Sequence, residues 1–366
     1  MHLIRNKKRS GCVGSLAKDK GKFLKKSTCH FALVLPGAVA RGAYEAGVIE
    51  VLADKEINID RIVATSSGAL NGLAYAVGIR SGREKEMAKE LAAFWIENGS
   101  WQNSLNISLW SLIKGRGLSN RSKLLRLMHE MIKPCEGTIK KDVELRVIIT
   151  PLNGVISKIA EKPATTYEHI VKFSGSDFDT IESLEVVFNV VSAACAFPGL
   201  FDPVYVPGLG FCVDGGAVNN APIRYALDES DVNRVIMPVP YPALMAHGDW
   251  KKGFKLLNHL IEILINERLF RDLKSAQSVN QEANQLKVLV SEGKISNEQL
   301  ELIKSTLKIR NVEITEVRPE KGLKNSAFSG FFHKEDRIRL VDQGRKATIQ
   351  TLSKIPDYNP EGKQTT

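Results

Sequence analysis

Apolar residues along this chain fall into two rhythms, short β-branched runs and longer stretches at helical spacing. Their alternation predicts strand, loop and helix in turn. The first run is Phe31-Ala32-Leu33-Val34-Leu35, apolar throughout and of strand length. A loop of small residues follows, Pro36-Gly37-Ala38-Val39-Ala40-Arg41-Gly42. Ala43 to Leu52 then places Ala43, Ala46, Gly47 and Val51 at helical spacing. The same order recurs where Arg61-Ile62-Val63-Ala64 leads through Thr65-Ser66-Ser67 into Gly68-Ala69-Leu70-Asn71-Gly72. Continuous apolar strands alternating with helices are the pattern of a parallel sheet covered on both faces.

The rhythm continues less regularly. Glu84 to Asn98 reads as an amphipathic helix through Met87, Leu91, Phe94 and Trp95, and Arg121 to Ile132 is again helical. Between them lies a looser stretch, Gly99 to Gly117. Its Trp101, Trp110 and neighbouring apolar residues fit either a lid or acyl-chain pocket, or plain core. Glu144 to Thr150 and Val232 to Val239 read as strands, the second interrupted by Pro238 and Pro240. Trp250 to Leu273 is the longest helical pattern; its broad apolar stripe suits packing on a sheet by default, with contact to a membrane as the alternative. Ser278 to Lys308 is polar and helical with Gly293 dividing it, and Val312 to Val317 alternates as a final strand. Phe328, Phe331 and Phe332 precede a basic helix ending near Gly344 and Arg345. Residues 355–366 read as a frayed tail.

Composition narrows the class. A chain of 366 residues with 43% hydrophobic and 25% charged residues can bury a substantial core. No apolar stretch reaches 18 residues, so no transmembrane helix is expected. Five widely spaced cysteines without a C-x-x-C pair point to reduced thiols in a cytoplasmic compartment. Of the net charge of +10, residues 1–26 supply +8, with nine Lys/Arg against Asp19 alone. That segment reads as a solvated tail, or as an electrostatic tether to anionic lipid. No aromatic interleaving or nucleic-acid motif accompanies it, so no nucleic-acid partner is expected.

Three segments carry candidate chemistry. Ser66 sits where a strand turns sharply into a helix, in the pattern A-x-S-x-G from Ala64 to Gly68; G-x-S-x-G is the usual form of such a nucleophile elbow. The loop from Gly37 to Gly42 ends at a helix start, where free N–H groups and the helix dipole favour a developing oxyanion. Phe211-Cys212-Val213-Asp214-Gly215-Gly216 ends a short strand in a carboxylate followed by a flexible turn. The seven histidines are scattered and none marks a clear strand end, so a Ser–Asp pair is a simpler assignment than a Ser-His-Asp triad.

Together these segments resemble the patatin-like phospholipase family. Its G-G-G-x-R-G loop aligns with Gly37 to Gly42, its G-x-S-x-G elbow with Ala64 to Gly68, and its D-G-G/A motif with Asp214-Gly215-Gly216. Ser192 to Val204 is similar to the family's segment of small residues and prolines ahead of the aspartate. The resemblance implies a three-layer α/β fold, a central mostly parallel sheet flanked by helices. The resemblance covers roughly residues 31–240 and more faintly the chain through Gly344. With the composition it gives one domain over residues 29–350, catalytic motifs at 31–225 and helical and strand additions at 250–350, between a basic tail (1–28) and a C-terminal tail (351–366). It implies a lipid acyl hydrolase acting on phospholipid or another acyl lipid, with Ser66 and Asp214 as the dyad. Gly37, Ala38, Val39, Arg41 and Gly42 would form the oxyanion loop; Ala64, Gly68, Gly215 and Gly216 would support the turns. No metal or cofactor is called for. The chain departs from the family at Ala38 and Val39, where glycines are usual, and a β-branched valine suits neither positive φ nor close approach. A catalytically weakened lipid-binding or scaffolding protein is therefore the alternative. A nucleotide-binding α/β protein is the other, although the loop lacks G-x-G-x-x-G spacing and a Lys-Ser/Thr ending.

Overall fold

The structure is a computed structural model that describes residues 31–100, 103, 123–134, 141–159, 162–198, 201–227, 232, 234–241, 253–307, 312–320, 323 and 328–355. The basic segment 1–28, nearly all of the lid-or-core stretch 101–117 and the tail 356–366 lie outside the described residues.

The first half follows the expected order. Strand β1 (Phe31–Leu35) leads to helix α1 (Gly42–Asp54), and β2 (Ile59–Ala64) to α2 (Ser67–Ser81). After α3 (Glu84–Asn98) and α4 (Lys123–Met131), β3 (Glu144–Pro151) enters the sheet. A hairpin of β4 (Val155–Ile159) and β5 (Lys162–Thr166) forms a separate two-stranded sheet. The chain continues through β6 (His169–Phe173), α5 (Ile181–Ala194), β7 (Val204–Val206), β8 (Gly210–Asp214), α6 (Ile223–Leu227) and β9 (Arg234–Pro238). Helices α7 (Gly253–Ser291) and α8 (Asn297–Leu307), strand β10 (Glu313–Val317), and helices α9 (Ser329–Phe332) and α10 (Lys334–Ser353) complete it.

The main sheet runs β10-β9-β1-β2-β3-β8-β7, with β6 also paired to β3. Strands β10, β9, β1, β2 and β3 are mutually parallel, while β6, β7 and β8 pair antiparallel. Period-two alternation divides the strand side chains between two cores. Leu33, Leu35, Ile62, Leu145 and Val147 join α1, α2, α3, α5 and α10 on one face. Ala32, Val34, Val63, Val235 and Met237 join α6 and α7 on the other. The result is the three-layer α/β arrangement.

Two local sequence features decide the packing on the first face. Residues 67–80 of α2 are all buried, which its run of Gly and Ala allows by keeping the helix thin between sheet and α3. Helices α1 and α10 meet backbone to backbone. A Cβ on Gly47 would overlap the Val341 carbonyl, and one on Gly344 would overlap the Tyr44 carbonyl. The basic helix near the C-terminus is thus part of the core. It continues beyond Gly344 to Ser353 because that glycine is a contact and not a stop.

The two helical patterns at 250–273 and 278–308 are not divided where the apolar stripe ends. One helix, α7, runs on to Ser291, and the break comes at Gly293, whose φ is +70°. The stripe ends where α7 stops covering the sheet; its Gln-, Asn- and Lys-rich continuation contains no helix breaker. His169 corrects a second expectation, since it begins β6 and so does stand at a strand end.

Candidate active site

β3 explains how Ser66 and Asp214, 148 positions apart, come together. Ala64, the last residue of β2, is in register with Val147, and Asp214 is in register with Ile149 two residues further along β3. The turn after β2 therefore delivers Ser66 to the end of β8. Ser66 Oγ donates a hydrogen bond of 2.6 Å to Asp214 Oδ2. The other carboxylate oxygen, Oδ1, accepts the Gly216 N–H at 2.7 Å and so caps the 3-10 turn of Gly215–Ala217. Asp214 is held further by its own N–H to the Ala196 carbonyl and by Thr150 Oγ1 donating to its carbonyl.

The elbow is strained. Ser66 has φ 52° and ψ −134°, a backbone region rarely taken by a residue with a side chain. Gly68 makes the turn possible, because a Cβ there would run into the carbonyl oxygens of Leu35 and Pro36, the latter at 2.8 Å. Ala64 is buried at the end of β2, where a larger side chain would crowd Gly72. Cys195 Sγ donates to the Ser66 carbonyl at 3.1 Å, from the C-cap of α5. Burial, and then the neighbouring Asp214, push this thiol's pKa up, so it is a neutral donor.

The Gly37–Gly42 loop lies beside the elbow, since β1 and β2 are adjacent parallel strands and each presents its loop at the carboxyl end. Val39 has φ 54°, the left-handed conformation that glycine normally supplies. The valine keeps a glycine-type path at the cost of strain. Between Phe31 and Ile49 every residue but Val39 is buried, and between Arg61 and Arg80 every residue but Ser66. Each loop thus opens at one point only, and at both points the backbone is strained.

Two donors of this loop have internal acceptors. The Gly37 N–H reaches the Asn220 carbonyl at 3.3 Å, and Asn220 Nδ2 returns a 3.0 Å bond to the Gly37 carbonyl. The Ala38 N–H donates to Ser67 Oγ at 3.0 Å. Arg41 is buried with its guanidinium 4.6 Å from the centre of the Tyr241 ring. Gly42 opens α1, and its carbonyl accepts from Asn71 Nδ2 at 3.0 Å. Asn71 also donates to Glu45 at 2.8 Å and accepts from Trp95 Nε1 at 2.6 Å, joining α1, α2 and α3 behind the loop.

Desolvation dominates the electrostatics. Burial lifts the Asp214 carboxyl from its ordinary 3.8 to about 7, against the opposing hydrogen bonds from Ser66 and Gly216. A carboxylate in that range can take a proton near neutrality. Its side-chain partners are a hydroxyl and a backbone amide, not an imidazole. Burial lowers the pKa of His169. Among the described residues no cluster of His, Cys, Asp and Glu could hold a metal ion, and no helix is long and apolar enough to cross a membrane.

Ser67, Cys195 and Asn220 were not singled out from the sequence. Asn220 lies six residues after Asp214, and its clamp on Gly37 depends on a contact 183 positions away.

The sequence model of the patatin-like phospholipase family matches residues 33–227, which include both loops and Asp214. Uncharacterized NTE family proteins of Mycobacterium bovis and Mycobacterium tuberculosis are each 28% identical over 200 residues. That match spans 54% of this chain but only 28% of each relative. Among solved structures, VipD from Legionella pneumophila is similar at 14% identity and a TM-score of 0.37, over 89% of this chain and 67% of its own. The ExoU–SpcU complex of the Pseudomonas aeruginosa type III secretion system is similar at 14% identity and a TM-score of 0.28, over 90% and 70%. With more than half of its length matched by the family's sequence model, the chain belongs to the patatin-like phospholipase family, whose members are lipid acyl hydrolases.

Proposed function

We propose that this protein hydrolyses fatty-acyl esters of phospholipids or related lipids through a Ser66–Asp214 dyad and an acyl-enzyme. The observation that carries the reading is the 2.6 Å bond from Ser66 Oγ to a buried carboxylate poised near pH 7. As Ser66 Oγ attacks the ester carbonyl, its proton passes to Asp214 Oδ2. The tetrahedral oxyanion collapses, and the same proton leaves with the alcohol. Water then loses a proton to Asp214 as it attacks the acyl-serine, and the fatty acid departs with Ser66 restored.

Because the Gly37 and Ala38 N–H groups are bonded inward, the donor role passes to the Val39 N–H and to the first N–H groups of α2. Ala38 joins them if Ser67 Oγ turns away. The engaged Ala38 amide and the strained Val39 are also what favours the second reading, a weakened enzyme acting as a lipid-binding scaffold. A fluorophosphonate probe separates the two. The proposal expects covalent labelling of the wild type, none of Ser66→Ala, and fatty-acid release from phospholipid vesicles by the wild type alone. Labelling that survives in Ser66→Ala would refute the assignment, and an unlabelled wild type would favour the scaffold.

A further inference from the structure

The patch that calls for a partner lies beside the dyad. Isolated exposed apolar residues are ordinary on any protein surface. Here three adjoin one another through local contacts, and a fourth stands on the hairpin that follows them. Leu152, three residues beyond the register partner of Asp214, is 48% exposed, and its N–H bonds to the Phe211 carbonyl at 2.8 Å. Phe211 is 55% exposed and lies three residues before Asp214 along β8, about 10 Å away. Its ring meets Tyr205 edge-on at 5.6 Å, and Tyr205 is itself exposed. From Leu152 the chain enters the β4–β5 hairpin, which carries Ile156 at 84% exposure. Toward the hairpin tip, Lys158 and Lys162 are both exposed.

We infer that this patch docks the protein on an anionic lipid bilayer, with Leu152, Ile156, Tyr205 and Phe211 entering the interface and Lys158 and Lys162 meeting acidic headgroups. The inference rests on the acyl-lipid reading of the Ser66–Asp214 site and adds how that site reaches its substrate. Aromatic and aliphatic side chains beside lysines match the layered chemistry of a bilayer interface. A second copy of the chain fits less well. The four side chains offer roughly 500 Å², short of the about 800 Å² per partner that a stable interface buries. The edge strand β7, only three residues long, offers little for sheet extension. Hairpin strands β4 and β5 pair only with each other, so each keeps an outer edge. The hydrated headgroup region solvates such an edge, which sets the hairpin at headgroup depth and not in the hydrocarbon.

The test uses the full chain carrying Ser66→Ala, so that vesicles stay intact, with vesicles of phosphatidylcholine with or without phosphatidylserine. K158E/K162E should weaken binding to phosphatidylserine vesicles at low salt by about tenfold or more, each lysine contributing about fivefold. I156S/Y205S should weaken binding by a similar factor at high salt, where attraction by residues 1–26 is screened. In the Ser66-containing chain both variants should keep wild-type hydrolysis of a water-soluble short-chain ester while losing hydrolysis of vesicle phospholipid. Unchanged vesicle binding by both variants overturns the inference. So does a dimer in sedimentation that either variant dissociates, which would assign the patch to a second copy. If the wild type hydrolyses no ester yet vesicle binding falls as expected, docking stands and the hydrolase reading fails.

Discussion

Asp214→Asn tests the central electrostatic argument, because asparagine keeps the shape of the side chain and cannot ionise. The native carboxyl titrates near 7 where an unfolded chain's titrates near 3.8. Well below pH 4 it is protonated in both states, so wild type and variant differ only by exchanged hydrogen bonds. As pH rises from 4 to 7 the unfolded wild type ionises freely while the native one resists, so wild-type stability falls across that window. Each pH unit is worth about 1.4 kcal/mol, which makes the full loss about 4 kcal/mol. Urea unfolding at pH 4 and pH 8 should therefore show Asp214→Asn gaining about 4 kcal/mol relative to wild type between the two. Activity should move the other way. The wild-type kcat/KM should climb with an apparent pKa of about 7, as the base must be ionised, and the variant should lose at least 10²-fold. If wild type and variant lose stability in parallel from pH 4 to 8, or if kcat/KM is flat down to pH 5, burial does not set this carboxyl and the reasoning fails.

Other perturbations follow from particular contacts. Val39→Gly removes a left-handed β-branched residue, worth about 1–2 kcal/mol of strain less the added freedom of the unfolded glycine chain. The variant also gives up the packing of Val39 on Ala40, Phe328 and Phe331, about 1 kcal/mol. Stability in urea unfolding should therefore stay within about 1 kcal/mol of wild type while ester turnover rises; a loss above about 2 kcal/mol would show that the valine is not strained. Gly344→Val pushes α10 off the Tyr44 carbonyl of α1 and should cost on the order of 3 kcal/mol; a thermal melt unchanged from wild type would deny the close approach. Glu45 is fully buried, and burial raises its pKa well above the usual carboxylate range despite the bond from Asn71. Burial therefore resists its ionisation in the native state, so wild-type stability declines as pH rises above about 4.5, where the unfolded side chain ionises. Glu45→Gln should thus gain stability at pH 8 but not at pH 4, and equal effects at both would show an ionised native Glu45.

Much of this architecture was legible because hydrophobic period is a local property. The buried run Phe31–Leu35 became β1, Glu84 to Asn98 became α3, and Glu144 to Thr150 became most of β3. The strand-to-helix turns at Gly37–Gly42 and Ala64–Gly68 were visible through their small residues. Weakly patterned elements were not. The β4–β5 hairpin is exposed on both faces, and β7 is only three residues long, so neither shows a clean alternation. At α7 the change from apolar stripe to polar surface suggested a break that the helix does not make; it runs on to the division the sequence did show at Gly293.

The order of small-residue turns and apolar strands, and the residue types offered at Ser66 and Asp214, were settled by the sequence itself, since they need only near neighbours along the chain. Whether those two side chains meet was decided by the register of β3, which aligns the ends of β2 and β8. Whether the carboxyl could act as a base was decided by burial, which outweighs two hydrogen bonds. The inward turn of the Ala38 amide toward Ser67 and the left-handed backbone of Val39 likewise emerge only in the folded chain. Desolvation and hydrogen bonding depend on which atoms crowd a group from distant segments, and no local pattern encodes that.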